Sequence, residues 1–315
     1  MSVTRDPWAM PAPRLSRRVA LSALVSVLAT ACGAARAAAA APDWRITRLR
    51  SLEQTARGRL GAYILDTATG TGVGWRANER FAHCSSFKLS LAAMLLRGAD
   101  EGMVDLSEVL HWEPSDMLSV SPVTAANISS GLSVEALARA TLVTSDNTAA
   151  NVLMRRFGGP AALTAFWRTL GDQVSRMDRY EPALNDRPAG SDLDTTTPVA
   201  MARTTTALVT GNVLSVPRRA TLRAWMTDVR TGSQRIRAGF PPDWQSGDKT
   251  GTGIGNARHT YVDIAYGAPA GRAPIVVTAY FEPARLVDPM DPVALETLAE
   301  VGRIAAAGLL RSPPR

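Results

Sequence analysis

Ser85 and Lys88 stand three residues apart in the stretch Cys84-Ser85-Ser86-Phe87-Lys88. A serine hydroxyl is a weak nucleophile until a neighbour takes its proton. A lysine amine can take that proton only where burial or nearby positive charge lowers its pKa. If a helix begins at or just before Ser85, the spacing sets hydroxyl and amine on one face, a turn apart. The helix N-terminus then favours a developing oxyanion. The same residues also suit a helix cap followed by a solvent-facing lysine. One property of the whole chain weighs against that. Of 35 Lys plus Arg, only Lys88 and Lys249 are lysines. Arg stays protonated and cannot act as a base, whereas Lys can be tuned. Lys249 falls in Asp248-Lys249-Thr250-Gly251-Thr252-Gly253, whose glycines admit close backbone approach on a strand or would serve a β-turn. A third group, Ser145-Asp146-Asn147, offers a hydroxyl and an amide, and would also cap a helix well.

These residues need elements to hold them. The run Leu89 to Leu96 is apolar all round and reads as a buried helix behind Ser85. Upstream, residues 42–57 read as an amphipathic helix, and Gly58 to Asp66 and Gly72 to Asn78 alternate like a strand hairpin turning at Thr67-Ala68-Thr69-Gly70. From Ser107 to Leu170 the signals are helical, cut by turns. One helix follows a Ser133 cap with Glu135 in its first turn and ends at Thr144 to Asn147. Residues 172–197 lose periodicity and form a long polar loop, a feature that is usually either functional or disordered. Pro198 and Arg219 mark two further helices. Val262 to Tyr266 and Ile275 to Phe281 read as strands, and Pro292 to Leu310 as a terminal helix. The two ends supply strands with flanking helices; the middle supplies helices.

The 315 residues are 46% hydrophobic and 20% charged, which fits a globular chain of one large domain or two lobes. The pI near 10.1 is no sign of nucleic-acid binding. Residues 1–41 hold five Arg against one Asp, a net +4 of the total +7, and no basic-aromatic stripe follows. That segment reads as an export signal: Arg14, Arg17 and Arg18 precede an apolar core from Val19 to Ala31, too short for a confident span, and an alanine run ends at Ala41. Ser16-Arg17-Arg18 suits twin-arginine export, and Ala29-Thr30-Ala31-Cys32 suits a lipid anchor on Cys32. The expectation is soluble export to the periplasm or exterior. With Cys32 removed, Cys84 is alone and reads as a packed structural cysteine rather than a nucleophile. His83, His111 and His259 lack metal-ligand spacing, so no metal or other cofactor is expected.

Ser-x-x-Lys, Ser-Asp-Asn and Lys-Thr-Gly, in that order and each at a fitting element, form the motif set of class A β-lactamases and penicillin-binding proteins. Over nearly all of residues 42–315 the chain resembles the class A serine β-lactamases. Arg179-Tyr180-Glu181-Pro182-Ala183-Leu184-Asn185 looks like that family's Ω-loop, and Asp194-Thr195-Thr196-Thr197-Pro198 like its exit. Arg237-Ala238-Gly239 and Trp244 are also familiar there.

The resemblance implies an α+β fold of two lobes. An antiparallel sheet flanked by helices uses residues 42–75 and 228–315, and an all-helical lobe uses 76–227, with the site between. It implies a nucleophile, Ser85, whose proton goes to Lys88 or, through a water, to Glu181. The oxyanion would sit between the backbone N–H groups of Ser85 and Thr252. Ser145, helped by Lys249, would protonate the leaving nitrogen. Asn147 would bind the substrate's side-chain amide, with Thr250, Gly251 and Thr252 lining the other wall. Glu181 and Asn185 would activate the hydrolytic water. Arg235 or Arg258 would grip the substrate carboxylate, and an Arg179–Asp194 pair would pin the loop. The partner implied is a small β-lactam, acted on by a monomer. A peptidoglycan DD-peptidase shares the three motifs but, in the resemblance, lacks Glu181 with its Asn185; a catalytically inactive penicillin sensor is a more distant reading. The gate position is Val120, where the family often carries an aromatic. Carbapenem-hydrolysing members often carry a disulfide beside the nucleophile; the position matching Cys84's partner is Gly253, so weak carbapenem turnover is expected.

Overall fold

The computed structural model describes residues 43–188, 190–255, 258–286 and 290–311. The export segment expected over 1–41, with Cys32, lies outside them. Among the described residues, eight helices of ten or more residues form: α1 (Trp44–Ala56), α2 (Phe87–Asp100), α3 (Val134–Val143), α4 (Asn147–Arg156), α5 (Gly159–Thr169), α6 (Pro198–Val209), α7 (Val216–Thr227) and α8 (Pro292–Leu310). None is long and apolar enough to cross a membrane.

The largest sheet has five strands: β1 (Gly58–Asp66), β2 (Gly72–Trp75), β3 (Gln245–Ile254), β4 (His259–Ala268) and β5 (Ile275–Pro283). Their order is β2-β1-β5-β4-β3, all antiparallel. The N-terminal strand pairs directly with the last one, from Gly58 opposite Pro283 to Asp66 opposite Ile275. Both chain ends therefore build one sheet, as an α+β fold requires. β4 is buried along its whole length, unlike the half-wet strand of an open antiparallel sheet. Its alternate side chains serve two cores. Tyr261 and Ala265 pack with residues of α1 and α8, while Ile264 and Tyr266 join the core of the helical half.

α2 is central to that half. Ten of its fourteen residues are buried, and it packs against α3, α4, α5 and α7. This is the all-round burial that its apolar run calls for. Its neighbours start at real caps: Ser133 accepts the Ala136 N–H and Asp146 accepts the Ala149 N–H. α6 lies against the sheet, where the Thr278 hydroxyl donates to the Pro198 carbonyl at 2.8 Å.

The structure departs from the sequence reading in two stretches. Residues 107–133 are mostly irregular rather than helical, with a five-residue helix, Pro122–Ala126, and a two-residue strand pair, Val109–Leu110 with Leu132–Ser133. Pro114 and Pro122 bias their preceding residues away from the helical region, and Gly131 turns at φ 67°. β2 stops at Trp75 rather than Asn78, because Arg76 takes a left-handed φ of 46°. The 172–197 loop is ordered at its exit. Thr195–Thr196 pairs with Phe81–Ala82, immediately before the candidate nucleophile, and His83 N–H donates to Asp194 O at 2.9 Å.

Candidate active site

Ser85 lies in a 3-10 turn, Cys84–Ser86, that leads into α2. Cys84 holds the turn at φ 45°, a conformation that costs a side-chain-bearing residue energy and is common at functional sites. This lead-in changes the expected pairing. Ser85 Oγ donates to Glu181 Oε1 at 3.2 Å. No direct Ser85–Lys88 hydrogen bond forms. Lys88 is fully buried and reaches past the serine to Asn147 Oδ1 at 2.5 Å, Ser145 O at 2.8 Å and Glu181 Oε1 at 3.3 Å. Burial pushes the Lys88 amine below its usual range, and the charge of Glu181 partly opposes this.

The Ser145-Asp146-Asn147 turn divides its labour. Asp146 is fully buried and caps α4; it also accepts the N–H groups of Val123 and Thr124 and the Thr124 hydroxyl, fixing the turn to the 121–126 segment. Asn147 donates to Ser119 O at 2.9 Å while its Oδ1 holds Lys88. Ser145, at φ 58°, turns its hydroxyl between two amines: Lys249 Nζ donates at 3.1 Å and Lys88 Nζ at 3.4 Å. The structure thus joins a helix cap and a polar cluster in one tripeptide.

Lys249 sits on β3, fully buried, with a second bond to Thr250 O at 2.7 Å. Burial, reinforced by the charge of Lys88, holds its pKa well below the ordinary lysine value. β3 passes very close to the nucleophile turn. A Cβ on Gly251 would meet His83 O at 2.9 Å and Ser85 N at 3.0 Å, both backbone atoms that cannot move aside. Only glycine allows the approach that brings the Ser85 and Thr252 backbones together.

Beneath this strand, Arg235 is 2% exposed. It donates to Gly251 O at 2.8 Å, Val262 O at 2.7 Å and Thr252 Oγ1 at 2.6 Å. The Thr250 and Thr231 hydroxyls share a 2.6 Å bond. Two buried carboxyls support the same wall. Asp248 accepts Arg237 at 2.8 Å, and Asp263 accepts the Ile236 N–H at 2.9 Å. Burial, reinforced by the neighbouring charge of Asp248, holds Asp263 well above the carboxylate range.

Glu181 enters from the polar loop and is 4% exposed. Asn185 Nδ2 holds Glu181 Oε2 at 2.6 Å, and Asn185 Oδ1 is buried without a protein partner. Asn151 grips the Glu181 backbone from both sides, donating to its C=O at 2.9 Å and accepting its N–H at 3.0 Å. The loop neck is tied by Asp194, fully buried, which accepts Arg179 Nε at 2.6 Å and the N–H groups of Asp178 and Arg179.

Ser85, Ser145, Asn147, Glu181, Asn185, Arg235, Thr250, Gly251 and Thr252 all line one cleft of ≈ 370 Å³. Lys88 and Lys249 lie behind it. Arg258 does not line it; that side chain pairs with Glu282 at 3.5 Å. Of the two arginines left open by sequence, the cleft takes Arg235. Residues 256 and 257, next to Arg258, lie outside the described residues. Sequence reasoning missed Asn151, Asp263 and Thr231. Asn151 carried a signal, standing four residues after Asn147 on one helix face. So did Asp263, a lone charge inside the apolar run Val262 to Tyr266. Thr231 carried none.

Known proteins resemble the chain over most of its length. The family model described as "Beta-lactamase enzyme family" matches residues 45–309. Beta-lactamase L2 of Stenotrophomonas maltophilia is 43% identical over 292 residues, covering 91% of this chain and 94% of that protein. An imipenem-hydrolysing β-lactamase of Enterobacter cloacae is 39% identical over 75% of this chain and 80% of its own. Among solved structures, the class A β-lactamase of the last common ancestor of Gram-negative bacteria superposes with a TM-score of 0.80 at 44% identity, covering 85% of this chain and 100% of that one.

Proposed function

The chain belongs to the class A β-lactamase family and hydrolyses the β-lactam amide, and we propose that it does so through an acyl-enzyme on Ser85. One observation carries this reading. Glu181 Oε1 is within hydrogen-bond reach of both Ser85 Oγ, at 3.2 Å, and Lys88 Nζ, at 3.3 Å, while Asn185 holds the other oxygen. A DD-peptidase needs no carboxylate at that point.

Ser85 Oγ attacks the lactam carbonyl as its proton passes to Glu181. The Ser85 and Thr252 N–H groups stabilise the oxyanion. When the C–N bond breaks, the nitrogen takes the Ser145 hydroxyl proton. Lys88 replaces that proton across 3.4 Å and receives the one on Glu181 across 3.3 Å. Lys249 steadies the hydroxyl from the other side at 3.1 Å. The proton that left Ser85 is thereby relayed to nitrogen, and Glu181 is again a carboxylate. It then takes a proton from a water that also meets the unpartnered Asn185 Oδ1. That water's oxygen attacks the acyl carbon, the bond from that carbon to Ser85 Oγ breaks, and Oγ takes the proton from Glu181, which restores both groups. A water bridging two oxygens needs them roughly 4.5–5.5 Å apart, so the direct Ser85–Glu181 contact opens once the acyl group is on Ser85. The Arg235 bond into Thr252 Oγ1 leaves that hydroxyl's own proton free to donate to the substrate carboxylate.

Apart from substrate and water, every group that gives or takes a proton belongs to one chain, which supports a cofactor-free monomer. The substrates are penicillins and cephalosporins, met outside the cytoplasm after export, and the result is antibiotic resistance. The test uses residues 42–315, a chromogenic cephalosporin and intact mass. Steady turnover by the parent, with a persistent acyl adduct in Glu181→Ala and deacylation slowed by about 10²–10⁴, is the expected result. A stable adduct on the parent itself would instead identify a penicillin-binding peptidase or sensor.

A further inference from the structure

The cleft is lined by more charge than the hydrolytic steps use. Its acidic lining residue, Glu181, is matched by Lys88 and Asn185. Arg235 is buried, with two carbonyls and the Thr252 hydroxyl on its amino groups. Arg230 is different. It is exposed at the mouth of the same cleft and forms no hydrogen bond or ion pair with any described residue. The nearest acidic residue in sequence, Asp228, is already held by Arg139 at 2.8 Å. Arg230 is also placed firmly along the cleft, because the next residue, Thr231, bonds Thr250 on β3 at 2.6 Å. It therefore stands on the wall where Thr250, Thr252 and Arg235 meet the substrate carboxylate under the reading above, but on its solvent side. An exposed, unneutralised guanidinium there acts on whatever charge the substrate carries beside that carboxylate.

We propose that Arg230 is a specificity-determining residue that selects β-lactams by the charge of the ring substituent next to the carboxylate. It favours neutral or anionic substituents and penalises cationic ones. This rests on the carboxylate-binding wall assigned above. An exposed charge pair several ångströms apart is worth roughly a five- to tenfold effect at low salt, and less as salt screens it.

The test uses two cephalosporins with the same thienylacetamido side chain that differ only at C3, one acetoxymethyl (neutral) and one pyridiniummethyl (cationic). Their kcat/KM values are compared for the parent, Arg230→Gln and Arg230→Glu at roughly 20 mM and 500 mM salt. At low salt, Arg230→Gln lowers kcat/KM for the acetoxymethyl compound and raises it for the pyridinium one. Arg230→Glu carries both changes further, so the ratio of the two shifts by tenfold or more. The change lies in KM, and it shrinks at high salt. Equal changes for both substrates, or a ratio unaffected by salt, would overturn the proposal, because a folding defect or a lost steric contact does not discriminate by charge. Failure of the acyl-enzyme reading shows separately, as absence of turnover in the parent.

Discussion

Glu181 is held at three points, and the hold on its backbone is the least expected. Asn151 satisfies both the N–H and the C=O of Glu181 while 3% exposed. Asn151→Ala leaves two buried backbone groups without partners, at a cost of about 1–3 kcal/mol each. The expected outcome is a lower urea midpoint together with slower deacylation, because the carboxylate loses its fixed position. Urea unfolding and single-turnover decay of the acyl adduct check the two effects; unchanged decay would show that Asn151 serves stability alone. At this scale the sequence revealed residue types better than pairings. The three-residue spacing singled out Ser85 and Lys88, and their scarce lysine gave them weight. It could not show that Cys84, at φ 45°, tilts Ser85 towards Glu181 instead. That depends on how closely β3 crowds the turn, a contact between residues far apart in sequence.

Among the elements, β3 and β4 carry a charge arrangement that sets a pH dependence. Unfolded, Asp263 ionises near the model-peptide value of about 3.9; folded, it is held well above it by burial and Asp248. Between those two values folding takes up a proton, so stability falls as pH rises through that window. In Asp263→Asn the amide can donate to Asp248 without a titrating proton. Urea unfolding from pH 5 to pH 9 is expected to show a flatter profile for the variant than for the parent, and parallel profiles would show that Asp263 does not set the dependence. The same strand bears on substrate range. The position facing the Cys84 thiol is Gly253, where a Cβ would lie 2.8 Å from Sγ; glycine carries no sulfur, so among the described residues no disulfide stands beside the nucleophile. Weak imipenem turnover is the expected outcome, and efficient hydrolysis by purified protein would refute it, a result that the imipenem-hydrolysing relative makes worth seeking. Elements with regular periodicity were legible: β1 and α8 match their sequence ranges. Residues 107–133 were not, because their apolar residues mimic helical spacing while prolines and Gly131 impose turns.

Across the whole molecule, the first and last strands to form the sheet are adjacent in it, so β1 pairs with β5 only once both ends of the chain exist. The two large cores meet through β4, whose alternate residues belong to each, and the cleft residues are drawn from as far apart in sequence as Ser85 and Met290. No local stretch specifies that convergence, which is why the sequence motifs could be ordered along the chain but not measured against one another. The distribution of amines has a practical consequence of its own. Both lysines are wholly buried, and the chain contains no others. Among the described residues no lysine amine is therefore open to acylating reagents. Succinimidyl dyes are expected to attach two more times per molecule after denaturation than before it, counted by mass. Tethering the folded enzyme to an amine-reactive support would leave both of its active-site amines untouched.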